Sequence, residues 1–185
     1  LKDVVVTEKI DGTNGLLYIT EWDGEQPADH DKLFALSPDR NLALYVGSRS
    51  RWLEVNTAGQ KHDNFGFARW AEQHLTEIFD LGVGKHYGEW WGQGIQRGYG
   101  QVNRYFSLFN PYTPIPQGSV IRTVPIMWQG AFINLNPMWI LEDLREHGSY
   151  AAPGYAHPEG VVVYHEAATQ SFKLTFDDRH KGGVA

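Results

Sequence analysis

Residues 7–15 read TEKIDGTNG and follow the β-branched run Val4-Val5-Val6. A single lysine, Lys9, stands between the carboxylate of Glu8 and an Asp-Gly pair. Residues 3–6 and 15–20 (GLLYIT) are predicted strands flanking this turn. On a strand, Lys9 and Asp11 point to one face, and Gly12-Thr13-Asn14 suits a tight turn. Two readings follow: a solvated hairpin end, or a lysine held in place for chemistry.

Outward from this stretch, the polar segment 21–32 (EWDGEQPADHDK) reads as a hairpin loop. LFALSP (33–38) and LALYVGSRS (42–50) are strand candidates. Apolar positions Phe67, Trp70, Ala71, Leu75, Ile78 and Phe79 recur at helical spacing, which predicts a helix over 65–79. Gly82 and Gly84 would stop it. KHYGEWWG (85–92) reads as a strand, QGIQRGYGQ (93–101) as a Gly-rich loop, and RYFSLFNPY (104–112) as another strand. NPMWILEDLREHG (136–148) is an amphipathic helix closed by Gly148. EGVVVYHE (159–166) and SFKLTF (171–176) make a final pair of strands. The expected fold class is α+β, one domain over residues 1–185 built on antiparallel sheets.

The 185 residues are 42% hydrophobic and 21% charged, the balance of a soluble globular domain. Seven Trp point either to a large core or to a surface that stacks on flat rings. No cysteine is present, which removes thiol nucleophiles, disulfides and Cys-based zinc sites. No run approaches the length of a membrane span. The net charge of −6 counts against non-specific coating of nucleic acid. It leaves room for local basic segments, one from Arg49, Arg51, Lys61 and Arg69, another from Arg97 and Arg104.

Several familiar cradles are excluded. GVGKH (82–86) lacks the hydroxyl residue and the Gly spacing of a phosphate loop, and GQGIQRG (92–98) is one residue too long for a dinucleotide fingerprint. Nucleotide chemistry here would need side chains. Glu89 sits between Gly88 and two tryptophans, an expensive place for a carboxylate without a partner. It also reads as the outward residue of an alternating strand. Glu159 opens a run of valines, where a carboxylate suits a metal or a ribose. It also reads as the last solvated residue before the strand. Lys173, between Phe172 and Leu174, fits either a site-facing or a solvent-facing strand position.

The order of these parts is more specific than any one of them. The chain presents KxDG at Lys9, then GSRSR (47–51), YGE (87–89), an aromatic strand, EGVVV (159–163), and a strand lysine. This order resembles the covalent nucleotidyltransferase superfamily of polynucleotide ligases and mRNA capping enzymes. It is most similar to the phage-type RNA ligases, which carry a DGTN-like extension after the lysine. The resemblance spans Thr7 to Phe176. It implies an antiparallel-sheet nucleotidyltransferase domain, ATP-grasp-like, with flanking helices. It also implies ATP and Mg²⁺ or Mn²⁺ as cofactors, and a lysyl-AMP intermediate.

By that resemblance Lys9 attacks the α-phosphate of ATP, and Glu8 and Ile10 border the adenine pocket. Asp11 orients the ammonium or a metal-bound water. Arg49 contacts phosphate or ribose, and Glu89 binds the ribose hydroxyl and the metal. Phe109 stacks on adenine, with Phe106 as its rival. Glu159 holds the hydrated metal, and Lys173 grips the α-phosphate. A lysine nucleophile must be neutral, and an ordinary lysine titrating near ~10.4 is neutral in only about one molecule in 2,500 at pH 7. Cations beside it would raise that fraction.

The implied partner is RNA bearing a 5′-phosphate and a 3′-OH, in RNA repair. Arg51, Arg97 and Arg104 are candidates for its phosphates. A monomer without membrane contact, in the cytoplasm of a phage-infected or bacterial cell, is expected. Two departures stand out. Thr175 occupies the place of the family's second strand lysine, which leaves Arg179 or Lys181 as substitutes. About a dozen residues follow Lys173, so no OB-type or other C-terminal domain is expected within this chain. The alternatives are a DNA ligase or a capping-type enzyme, or a non-catalytic Trp-rich module binding carbohydrate or single strands.

Overall fold

The computed structural model describes residues 3–24, 33–55 and 63–176. These residues form two compact units, each built from separated stretches of chain. The first comprises 1–11, 92–103 and 124–185, and the second 12–91 and 104–123. Among the described residues no helix is long and apolar enough to cross a membrane.

In the first unit, β1 (Asp3–Lys9), β8 (Ile126–Ala131), β9 (Gly160–His165) and β10 (Gln170–Thr175) make a sheet in the order β10-β9-β1-β8. Every pairing in it is antiparallel. β1 is paired on both edges, and its consecutive residues Val4–Glu8 are all buried, so both its faces are covered, in keeping with the apolar run Val4-Val5-Val6. Val4, Val6, Val161 and Val163 pack against Ile140, Leu141 and Leu144 of α3 (Pro137–His147). α3 starts where Asn136 accepts from the Trp139 N–H at 3.1 Å and Pro137 opens the first turn. A bulge between Val6 and Thr7 slips the β1–β8 register by one residue just before Lys9.

The second unit holds a six-stranded sheet. Its strands are β2 (Thr13–Glu21), β3 (Ala35–Leu36), β4 (Leu42–Gly47), β5 (Gly84–Gly92), β6 (Arg104–Leu108) and β7 (Ile121–Thr123). Their order is β3-β4-β2-β5-β6-β7, with only β6–β7 parallel among the registered pairs. One face is sealed by Phe67, Trp70, Trp90 and Phe106, with Phe67 and Phe106 ring centroids 4.8 Å apart. Gly88 allows this approach: a Cβ there would lie 2.5 Å from the Ser107 carbonyl oxygen and 2.7 Å from the Phe106 ring.

The fold class agrees with the expectation, and four local readings change. β1 and β2 do not pair as a hairpin; each enters a different sheet. The helix expected over 65–79 is two helices, α1 (Phe67–Gln73) and α2 (Leu75–Phe79). At His74 the ring nitrogen takes the Trp70 carbonyl at 2.7 Å, the bond a continuing helix would give to the His74 N–H. The strand expected over 104–112 ends at Leu108, and β7 and β8 lie in a stretch to which no element was assigned. Most of the loop at 21–32, along with Lys61, Arg179 and Lys181, falls outside the described residues.

Candidate functional site

Strand alternation separates Glu8 from Lys9. Glu8 lies on the core face of the first unit, 1% exposed. Its carboxylate accepts from the Ser149 hydroxyl at 2.6 Å, the Tyr150 N–H at 2.9 Å and the Ala151 N–H at 2.8 Å. Burial pushes this carboxyl above the ordinary range, and the three hydrogen bonds pull part of the way back. The expected place of Glu8 at an adenine pocket thus meets a different geometry. Both its oxygens anchor the loop after α3, behind the sheet from Lys9. Ile10 is also buried, at 4%.

Lys9 ends β1 on the other face and forms an ion pair with Glu159. In register it stands opposite Gly160, and Gly160 stands opposite Thr175. Glu159 is one residue before Gly160, so unbroken pleating would send it to the face opposite Lys9. Gly160 interrupts the pleat with φ +154°, and a Cβ there would sit 2.1 Å from the Leu174 carbonyl oxygen. Lys173 occupies the next row on Lys9's face, opposite Val162, itself opposite Thr7. Two strands across and two residues along separate the two lysines, roughly 10 Å by 7 Å between backbones. Thr175, where the family pattern has a second lysine, lies in Lys9's own row.

Asp11 does not turn to Lys9. Its carboxylate takes the Arg97 Nε–H at 3.0 Å, and its own N–H donates to the Tyr99 hydroxyl at 2.8 Å. Tyr99 is 1% exposed, holds a left-handed φ of 52°, and packs on the Tyr155 ring at 4.7 Å. Burial, then the charges of Glu8, Asp11 and Glu159, push its phenol above the usual tyrosine range, so the hydroxyl keeps its proton. The Gly-rich loop read from the sequence therefore buttresses the residues just past the lysine. Arg97, expected at RNA phosphates, is engaged here. Nothing in the KxDG pattern names Arg97 or Tyr99; the one cue is an aromatic set between Gly98 and Gly100.

The second unit carries Glu89, Arg49 and Phe109. Glu89 accepts from the Gly12 N–H at 2.9 Å and from Asn14 Nδ2 at 3.3 Å. Asn64, in a left-handed conformation with φ 49°, accepts from the Thr13 hydroxyl and donates to the Asn14 carbonyl, both at 3.1 Å. The DGTN extension is thereby tied to β5 and to the start of α1. Asn64 was not singled out from the sequence. Both oxygens of Glu89 are engaged, Oε1 by the Gly12 N–H and Oε2 by the Asn14 amide. Phe106 is fully buried, whereas Phe109 is 43% exposed, so of the two only Phe109 offers an open ring face. Arg49 and Arg51 are exposed in the turn after β4. Arg104 donates to the Phe65 carbonyl at 2.6 Å, which ties it to the fold.

Among the described residues no group of three or more His, Cys, Asp or Glu could hold a metal ion. The donor set fits an ion that keeps most of its water and takes one or two carboxylates together with substrate phosphates, as Mg²⁺ does. Glu159, half-buried beside Lys9, is such a carboxylate.

A family model described as RNA ligase matches residues 2–179. No curated protein sequence matches the chain. Among solved structures, Naegleria gruberi RNA ligase with PPi has a TM-score of 0.59 at 20% identity, over 98% of this chain and 52% of that chain. A point mutant of that ligase with ATP and Mn has a TM-score of 0.56 at 18% identity, covering 97% and 52%. Another mutant, with AMP and Mn, has a TM-score of 0.56 at 19% identity, covering 97% and 51%. The chain spans about half the length of the solved structures it matches, and the likeness to them is one of fold.

Proposed function

The chain belongs to the RNA ligase family, and from that premise we propose that it carries the nucleotide-transfer chemistry of an ATP-dependent RNA ligase. The observation that supports this most is the meeting of Lys9, in KxDG, with Glu159, at the head of EGVVV. In this reading the Lys9 amine attacks the α-phosphorus of ATP. The N–P bond forms, the bond to the bridging oxygen breaks, and pyrophosphate leaves. The RNA 5′-phosphate then displaces Lys9 from AMP. Attack by a 3′-OH closes the strand and releases AMP.

Each side chain has a distinct task. An ammonium paired with a carboxylate has no lone pair to attack with, so the Lys9–Glu159 pair has to part and the proton has to leave before the first step. Lys173, on Lys9's face, offers a cation for the α-phosphate. Arg97 and Tyr99 hold Asp11, and so fix the backbone that follows the nucleophile. Glu89 offers acceptor oxygens to a ribose hydroxyl, and Phe109 an open ring to the base. Glu159, once released from Lys9, would hold the divalent ion with water and phosphate oxygens. When bound, that ion neutralises charge gathering on the phosphates.

The non-catalytic Trp-rich module loses its main support. Trp90 and Trp91 are buried at 2% and 0%, and Trp139 alone of the seven is exposed, at 62%. The test is label transfer from ATP carrying a radioactive α-phosphate, read on a denaturing gel. Wild type should take up label that is acid-labile and alkali-stable, as a phosphoramide is, and Lys9→Ala should take up none. Undiminished labelling of Lys9→Ala, or a preference for GTP, overturns the proposal.

A further inference from the structure

Three consecutive residues ahead of α1 hold left-handed backbone: Asn64 at φ 49°, Phe65 at φ 56° and Gly66 at φ 84°. Glycine and asparagine tolerate this region, whereas a bulky residue such as Phe65 enters it only under constraint. The Phe65 carbonyl supplies that constraint, accepting from the Trp90 Nε1–H at 3.1 Å and from Arg104 Nη1 at 2.6 Å. A helix has no need of such an entry. The residue before its first turn is ordinarily extended, and Asp63 already gives the Arg69 N–H of α1 an acceptor at 3.0 Å. Backbone strain held in place by its surroundings clusters at functional sites.

The strained segment places the side chain of Asn64, which is 7% exposed. Its Oδ1 accepts from the Thr13 hydroxyl and its Nδ2 donates to the Asn14 carbonyl, both at 3.1 Å. β4 is registered on β2 only from Leu16 to Glu21. Thr13 and Asn14 lie beyond that stretch and are registered on β5, opposite Trp90 and Glu89. Asn64 therefore adds a second hold on the part of β2 that runs past β4. Gly15 lets α1 lie close over the same stretch: a Cβ there would be 2.7 Å from the Phe67 ring. Asn14 passes the constraint on, because its Nδ2 donates to Glu89 Oε2 at 3.3 Å. The links run from Asn64 to the Asn14 main chain, and from the Asn14 side chain to the Glu89 carboxylate.

We infer that Asn64 is a positioning residue for sugar recognition: it fixes Asn14, and through Asn14 it orients the Glu89 carboxylate toward a ribose hydroxyl. This rests on the ligase reading, which gives Glu89 that hydroxyl. A brace that served the fold alone would alter stability and leave the preference for ribose over deoxyribose untouched.

The experiment is isothermal titration of wild type, Asn64→Gly and Asn64→Ala with ATP, 2′-deoxy-ATP and 3′-deoxy-ATP, with divalent ions chelated so that no transfer follows binding. Label uptake from ATP and Mg²⁺ is measured on the same wild-type preparation. Both variants lack the amide, but glycine accepts left-handed backbone and alanine resists it. Asn64→Gly should therefore melt closer to wild type than Asn64→Ala does. Both should bind ATP about fivefold more weakly, roughly the worth of one hydrogen bond. Neither should lose as much toward the deoxy analogue that wild type binds poorly, so the sugar preference shrinks in both.

A sugar preference unchanged in both variants, or reduced in Asn64→Ala alone, overturns the inference and leaves Asn64 a brace for the fold. No sugar preference in wild type, or no binding of ATP by it, overturns the inference as well. If wild type takes up label and both variants keep its sugar preference, the positioning role is wrong and the ligase reading stands. If wild type takes up no label but binds ATP with a sugar preference that both variants lose, the positioning role stands and the ligase reading falls.

Discussion

Glu8→Ala is expected to be among the most damaging single changes near Lys9, although Glu8 faces away from it. Three donors converge on this carboxylate, from Ser149, Tyr150 and Ala151. A hydrogen bond to a charged acceptor is worth about 1.5–3 kcal/mol, and a buried donor left unmet costs about 1–3 kcal/mol. Ser149 is 3% exposed and still holds the Ala152 N–H at 2.9 Å, so its hydroxyl cannot turn out to water without releasing that bond. The two amides are only part-buried, so water can reach them. Relief from burying a charge offsets part of the loss. The net expectation is destabilisation by about 2–4 kcal/mol.

Glu8→Gln separates hydrogen bonding from charge. Its carbonyl can still receive the Tyr150 and Ala151 amides, and its amide faces Ser149. The folded carboxyl titrates above its ordinary value of 4.5. Such a group's contribution to stability is complete below the unfolded pKa and is lost as pH rises through the folded pKa. The stability of wild type relative to Glu8→Gln should therefore fall as pH rises from about 4.5 toward neutrality. Urea titrations of the three proteins across this range are the assay, and contributions from other groups cancel in the difference. Glu8→Ala within about 0.5 kcal/mol of wild type, a scale typical of surface changes, would refute the anchoring role. A wild-type advantage over Gln that grows with pH would refute the electrostatic part.

Gly160→Ala should force the β9–β10 ladder apart beside Lys9, because its Cβ would meet the Leu174 carbonyl oxygen at 2.1 Å. A loss of about 2–4 kcal/mol in urea unfolding, with fast hydrogen exchange confined to β10, is expected. The two aromatic candidates should part cleanly. Phe106→Ala removes a core ring and should cost about 3–5 kcal/mol. Phe109→Ala should leave stability within about 0.5 kcal/mol while raising the ATP concentration needed for half-maximal labelling.

Much of this protein is legible along the chain. The valine run of β1, the 3.6-residue spacing of α3 with its Asn-Pro start and Gly end, and the β-branched run of β9 are local patterns, and local physics enforces them. The order KxDG, YGE, EGVVV and strand lysine is likewise a property of the linear sequence. The family match is of the same kind. What the chain does not carry is partnership. Glu8 and Lys9 are neighbours in sequence, and alternation says only that they part. Which of them faces α3 is settled by β8 and β9 closing on either side of β1, more than a hundred residues later. Asp11 is written beside Lys9 yet binds Arg97. Phe106 and Phe109 are similar on paper, but one fills the space left by Gly88 and the other stands past the end of its strand. The helix at 65–79 breaks because a histidine side chain takes a carbonyl that periodicity assigns to the backbone. Spacing along a strand or helix is set by bond geometry a few residues long. The occupant of each face is set by contacts between segments far apart, where the cost of a buried charge or an unmet donor selects one pairing from many.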